Sequence, residues 1–107
     1  MKYIIVLMTA SNQEEAKKIV NTLLEERLIA CANIINSISS FFWWQGKIET
    51  EKEALVIMKS RESLFNKISQ RIVDLHSYEV PEILAIPVVN GLKSYLDWIG
   101  DCLEPVK

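Results

Sequence analysis

The sequence predicts a two-layer α+β sandwich, and three observations carry that prediction. Strand-like and helix-like hydrophobic spacings alternate in the order β-α-β-β-α-β, and a short helix closes the chain. The middle of the chain, residues 30–58, reads as one long hairpin turning at Gln45-Gly46. Each of the first two helical stretches carries a single apolar stripe, so each can cover only one face of a sheet.

Tyr3 to Met8 is continuously apolar with polar residues on either side, the pattern of a central strand buried on both faces. Ser11-Asn12-Gln13-Glu14 has capping-box spacing and opens the first helix. Ala16, Ile19, Val20, Leu23 and Leu24 form its stripe, and it ends near Arg27. After the hairpin, Ser60-Arg61-Glu62 opens a second helix. Leu64, Phe65, Ile68, Ile72 and Leu75 are its buried face, and it stops around His76. Pro81 holds Val80 extended ahead of a strand from Ile83 to Val89. Pro87 cannot donate to a ladder, so that strand is an edge or carries a bulge. Asn90-Gly91 breaks it. The last helix places Tyr95, Leu96, Ile99 and Leu103 on one face, and Pro105 ends the ordered chain. Two crossover units sharing one sheet, with both helices on one side, give a ferredoxin-like sandwich with a long central hairpin and an extra C-terminal helix.

The hairpin is the unusual element. Its outgoing strand runs from Ala30 through the aromatics Phe41-Phe42-Trp43-Trp44, and its return strand ends in Ala54-Leu55-Val56-Ile57-Met58. Strand alternation puts two large rings on each face. A strand of roughly fifteen residues spans about 50 Å, whereas a helix of about sixteen covers about 24 Å. About half of the ribbon therefore projects beyond its own helices with apolar rings attached, which marks an interaction surface. On the return strand Glu49, Glu51 and Glu53 alternate with other residues and form a row of carboxylates on one face.

Composition narrows the function classes. All 107 residues fit one domain, 1–107, with 50% apolar residues, 24% charged residues and a net charge of −2. No run of like charge suggests a polyanion-binding surface. Cys31 and Cys102 do not look like a disulfide framework and read as free thiols of a reducing compartment. No stretch is apolar for long enough to span a bilayer, and the N-terminal apolar run lacks a cleavage site. A cytoplasmic protein without membrane insertion is expected.

Several stretches resemble the CutA family of divalent-cation tolerance proteins. They are Leu28-Ile29-Ala30-Cys31-Ala32-Asn33, Trp43-Trp44-Gln45-Gly46-Lys47-Ile48-Glu49, Glu53, His76-Ser77-Tyr78-Glu79-Val80-Pro81-Glu82 and the Tyr95-Leu96-Asp97-Trp98 helix. The similarity spans nearly the whole chain. It implies a ferredoxin-like fold assembled as a tight homotrimer with strands crossing between subunits, similar in build to PII signalling proteins. It also implies a link to tolerance of copper and other divalent metals. Some bacterial members carry a cysteine at the end of the first strand and two adjacent histidines before the tyrosine. Here Met8 and Leu75-His76 occupy those positions, so only His76 remains of those candidate ligands.

His76, the only histidine, has two readings. As a structural residue it satisfies a backbone carbonyl at the end of the second helix. As a functional one it is a ligand for Cu(II) or Zn(II) in a cleft between subunits, with Glu82, Glu49 and Glu53 as companion metal ligands. Trp44, Lys47, Tyr78 and Lys59 are the candidates to line that cleft. Phe41, Phe42, Trp43 and Trp44 are the candidate trimer interface.

Catalysis is not expected. Acylphosphatases of the same topology need an arginine-bearing anion loop after the first strand, and Thr9-Ala10-Ser11-Asn12-Gln13 has neither glycine nor arginine. RNA binding, another use of the topology, would need outward aromatics where this chain has carboxylates. The expected function is therefore a trimer that takes copper or another divalent cation weakly between subunits. The alternative is a PII-like scaffold that binds a small ligand or an unidentified protein partner, with metal incidental.

Overall fold

A computed structural model describes residues 1–105; the expected end of order after Pro105 lies outside the described residues. The chain forms β1 (Tyr3–Ala10), α1 (Gln13–Glu25), β2 (Cys31–Trp44) and β3 (Lys47–Arg61). A short 3-10 turn (Glu62–Leu64), α2 (Phe65–Leu75), β4 (Ile83–Pro87) and α3 (Lys93–Cys102) follow. The sheet has the order β2-β3-β1-β4 with every neighbouring pair antiparallel. This is the expected α+β ferredoxin-like topology. β4 is an edge strand and stops at Pro87, shorter than the run to Val89 that the sequence suggested.

One face of the sheet carries the core. Val6, Met8, Val56 and Met58 point from β1 and β3 onto Ile19 and Leu23 of α1 and Ile68 and Ile72 of α2, and all are fully buried. Burying each such aliphatic side chain contributes about 1.5–3 kcal/mol. Capping of α1 sits one residue later than Ser11 and Glu14 implied. The Asn12 side chain accepts from the Glu15 N–H at 2.8 Å, and the Glu15 carboxylate takes both Ser11 donors at 2.9 Å. Asparagine is as good an N-cap as serine, and here its spacing to a glutamate three residues on decides the register.

β1 differs from the expectation of burial on both faces. Its burial alternates: Ile4, Val6 and Met8 are buried, while Tyr3, Ile5 and Leu7 on the opposite face are only partly so. The reason is that both long helices lie on one side. On the other, α3 is the one described element that crosses the sheet, at one end, where Tyr95 Oη is 3.5 Å from Cys31 Sγ and Gly100 packs against the Tyr3 hydroxyl. By strand register this open face carries Ile5, Leu7, Ile35, Leu55, Ile57, Leu84 and Ile86. Leu84 is 57% exposed and Ile35 47%. An apolar sheet face left this open is an unfinished surface in a single chain.

The hairpin divides in two. Residues 54–61 of β3 pair with β1, and 55–59 of them also with β2, whereas residues 38–44 and 47–53 pair with each other and form an arm beyond the core. A bulge marks the junction: Ile35 faces Leu55 and Ile38 faces Glu53, so two residues of β2 oppose Ala54 alone. Ser37 in the bulge has φ 58°, in the left-handed region. The tip turns through Gln45 (φ 48°) and Gly46 (φ 76°), and positive φ at both central residues matches the right-handed twist of the ribbon.

Candidate functional site

The side chains with chemistry converge at the root of the arm, where the loop after α2 meets the ends of β1 and α1. His76 ends α2, and its side chain is fully buried. Its Nε2 lies 2.7 Å from the Thr9 carbonyl oxygen, which can only accept, so Nε2 carries the proton. Nδ1 then accepts the Tyr78 N–H at 3.0 Å. Both ring nitrogens are engaged, which fixes the orientation of the imidazole. This arrangement realises the structural reading of His76, with the carbonyl coming from β1 rather than from its own helix.

Tyr78 continues the network. Its hydroxyl donates to Glu53 at 2.8 Å, and its ring packs at 4.7 Å on the imidazole. Burial, and then the neighbouring Glu53 carboxylate, push the phenol well above its ordinary value, so it stays a donor throughout the physiological range. Glu53 is only 8% exposed, although it belongs to a row whose other members, Glu49 and Glu51, are open to solvent. The tyrosine bond ties the loop over 76–82 to the strand at the point where the arm leaves the core.

Glu15 braces the other side and was missed in the sequence. One oxygen takes the two Ser11 donors, and the other accepts the Ser77 N–H at 2.8 Å. Burial alone would raise its pKa, but the donors from Ser77 and Ser11 outweigh it and hold the carboxyl at about 2. The Asn12-Gln13-Glu14-Glu15 spacing was the available signal, because it is also a capping box.

The remaining candidates are not gathered here. Trp44, Lys47 and Glu49 lie at the tip of the arm, about 20 Å from its root at the rise of a strand. Lys59 lies a similar distance the other way and donates to Asn33. Glu82 is exposed at the end of the loop, just before β4. Met8 is fully buried in the helix-side core, and Leu75 packs partly against it. Among the described residues no three His, Cys, Asp or Glu side chains stand close enough to hold a metal ion. The donor set of one chain therefore does not fit a closed metal site. No helix among the described residues is long and apolar enough to cross a membrane.

The aromatics do fall two to a face. Phe42 and Trp44 share the face of Glu49, Glu51 and Glu53, while Phe41 and Trp43 share the other with Ile48 and Thr50. Trp43 is 73% exposed. The carboxylate row is also continuous, by register, with the open apolar face of the sheet.

Comparison with known proteins places this geometry. The model of the CutA1 divalent ion tolerance protein family matches residues 4–102. The divalent-cation tolerance protein CutA of Archaeoglobus fulgidus is 46% identical over 99 residues, covering 92% of this chain and 96% of that protein. The chloroplastic protein CutA 1 of Oryza sativa is 40% identical over 96 residues, 90% of this chain. This chain spans about half the length of the chloroplastic plant relatives, 54% and 53%. The crystal structure of CutA1 from Oryza sativa superposes with a TM-score of 0.96 at 36% identity, covering 99% of this chain and 97% of that one. The chain thus belongs to the CutA1 family of divalent ion tolerance proteins.

Proposed function

We propose that the chain works as a cytoplasmic homotrimer that binds divalent cations, copper among them, weakly at the seams between copies and so contributes to metal tolerance. One observation carries this reading. The carboxylates Glu49, Glu51 and Glu53 lie on the same side of the sheet as the uncovered apolar face. An assembly that packs these faces of different copies together brings their carboxylate rows toward one another. Their mutual repulsion is relieved by a bound cation, and oxygen donors of this kind suit an open, labile site. His76, Tyr78 and Glu15 serve in this reading to fix the root of the arm. No catalytic step is assigned to the chain.

Calorimetric titration of Cu2+, Zn2+ and Mn2+ into the native protein and into a Glu49→Gln/Glu51→Gln variant tests the proposal. Saturable binding that falls about tenfold or more in the variant supports it. Equal binding by the two proteins overturns it. One observation favours the alternative: with both His76 nitrogens engaged, the one imidazole of the sequence is not free to bind a metal. In that reading the seams hold a small ligand or a protein partner, and metal is incidental. A thermal-shift screen of metals beside metabolites separates the two, because the true ligand raises the melting point by mass action.

A further inference from the structure

Asn90 and Gly91 lie in the irregular segment over 88–92 between β4 and α3, and both are exposed. That segment leaves the sheet at the end away from the arm: Pro87 pairs with Ile4, whereas the arm departs beyond Ala10 and Ala54. Its neighbours are tied down. The Val88 N–H donates to the Tyr3 carbonyl, and the Leu92 carbonyl accepts from the Tyr95 and Leu96 N–H groups. Among the described residues, by contrast, the Asn90 side-chain amide and the Gly91 N–H make no hydrogen bond. An exposed amide outside any ladder opens at almost no cost.

This pair has a chemistry of its own. Asparagine is thermolabile, and a glycine after it removes the Cβ that would hinder approach of the backbone nitrogen. Asn90 is the one asparagine of the sequence followed by glycine. The others are placed differently. Asn12 and Asn33 have their side-chain oxygens engaged, by the Glu15 N–H and by Lys59. Asn21 and Asn66 lie within α1 and α2. Asn36 sits in the bulge, but Ser37 follows it and brings a Cβ.

We propose that Asn90-Gly91 is a site of spontaneous deamidation. The Gly91 nitrogen gives up its proton to base and attacks Asn90 Cγ. The new N–Cγ bond forms, the Cγ–Nδ2 bond breaks, and the departing nitrogen takes up a proton and leaves as ammonia. Water then opens the resulting succinimide at either carbonyl, giving aspartate or isoaspartate. Each event replaces a neutral amide with a carboxylate on a chain of net charge −2. The isoaspartyl product also lengthens the main chain just before Gly91, where an added Cβ would meet Leu96 Cδ2 at 2.9 Å. So tight a fit passes the change on to the first turn of α3, which begins without a side-chain cap.

Incubation of the assembled protein in warm, mildly alkaline buffer tests the proposal, with peptide mapping and methyl uptake under an isoaspartate-specific methyltransferase as readouts. A synthetic peptide of residues 86–96 supplies the rate without a fold. Conversion at Asn90 that precedes any at Asn36 and is slower than in the peptide by less than about tenfold supports the proposal. Asn90→Gln abolishes the methyl uptake. Slower conversion than that, conversion no earlier than at Asn36, or undiminished uptake in Asn90→Gln overturns it. In the isoaspartyl fraction, faster hydrogen exchange at the Tyr95 and Leu96 amides supports the effect on α3, and unchanged exchange there overturns that effect.

Discussion

The two halves of the β2–β3 hairpin are made of the same strands and share one ladder, yet they answer to different surroundings. In residues 54–61 of β3 the side chains of one face sit at zero or nearly zero exposure against two helices. In residues 38–53 only Glu53 is buried among the described residues, and the largest rings of the protein stand in solvent. The difference shows that pairing alone fixes the path of the ribbon, whereas this chain supplies burial to only one of its halves. The bulge at Ser37 and the bond from Tyr78 to Glu53 sit where one regime gives way to the other.

Substitution in the two halves should break the comparison most sharply. Met58→Ala removes a fully buried side chain and should cost about 2–5 kcal/mol in chemical denaturation. Trp43→Ala removes a larger side chain from the exposed half. It should change the stability of an isolated chain by less than about 0.5 kcal/mol while making the melting temperature depend more steeply on protein concentration.

The brace at the junction gives the next largest effect, and its sign follows from the depressed pKa of Glu15. A carboxyl that titrates at 4.5 when unfolded and at about 2 when folded adds stability that is complete above 4.5 and is lost as pH falls toward 2. That contribution is about 3 kcal/mol at neutral pH, since the side chain is mostly buried. Glu15→Gln should flatten the stability profile across that acid window, as followed by urea midpoints at successive pH values. Tyr78→Phe should cost about 1–3 kcal/mol, because it leaves the buried Glu53 carboxylate without its donor. Hydrogen exchange should then rise first in the loop over 76–82 and at the root of the arm. Ser37→Gly should have the smallest effect, a gain of less than about 1 kcal/mol from relief of the left-handed φ, read from the denaturation midpoint.

Much of this was legible in the residues themselves. The helix stripes, the Gln45-Gly46 turn and the excess length of the hairpin are local patterns, and each led to the element observed. The bulge was not legible, because an extra residue shows only when two strands are laid against each other, and Asn36 and Ser37 give way to it without any Gly or Pro signal. The open face was hidden for a related reason. A run such as Ile4-Ile5-Val6-Leu7-Met8 is apolar on both sides, and nothing in it says that helices cover only one. The candidate ligands were recognised as residue types, but their separation along the arm depends on register, as does the capture of both His76 nitrogens.

The central claim is that the arm and the open sheet face are completed by further copies of the chain. The mass in solution by light scattering, read together with tryptophan emission, tests it most directly. Three copies of the 12.3 kDa chain with blue-shifted emission are the predicted result. A stable single copy whose tryptophans report water would contradict the account and remove the seams on which the proposed cation binding rests.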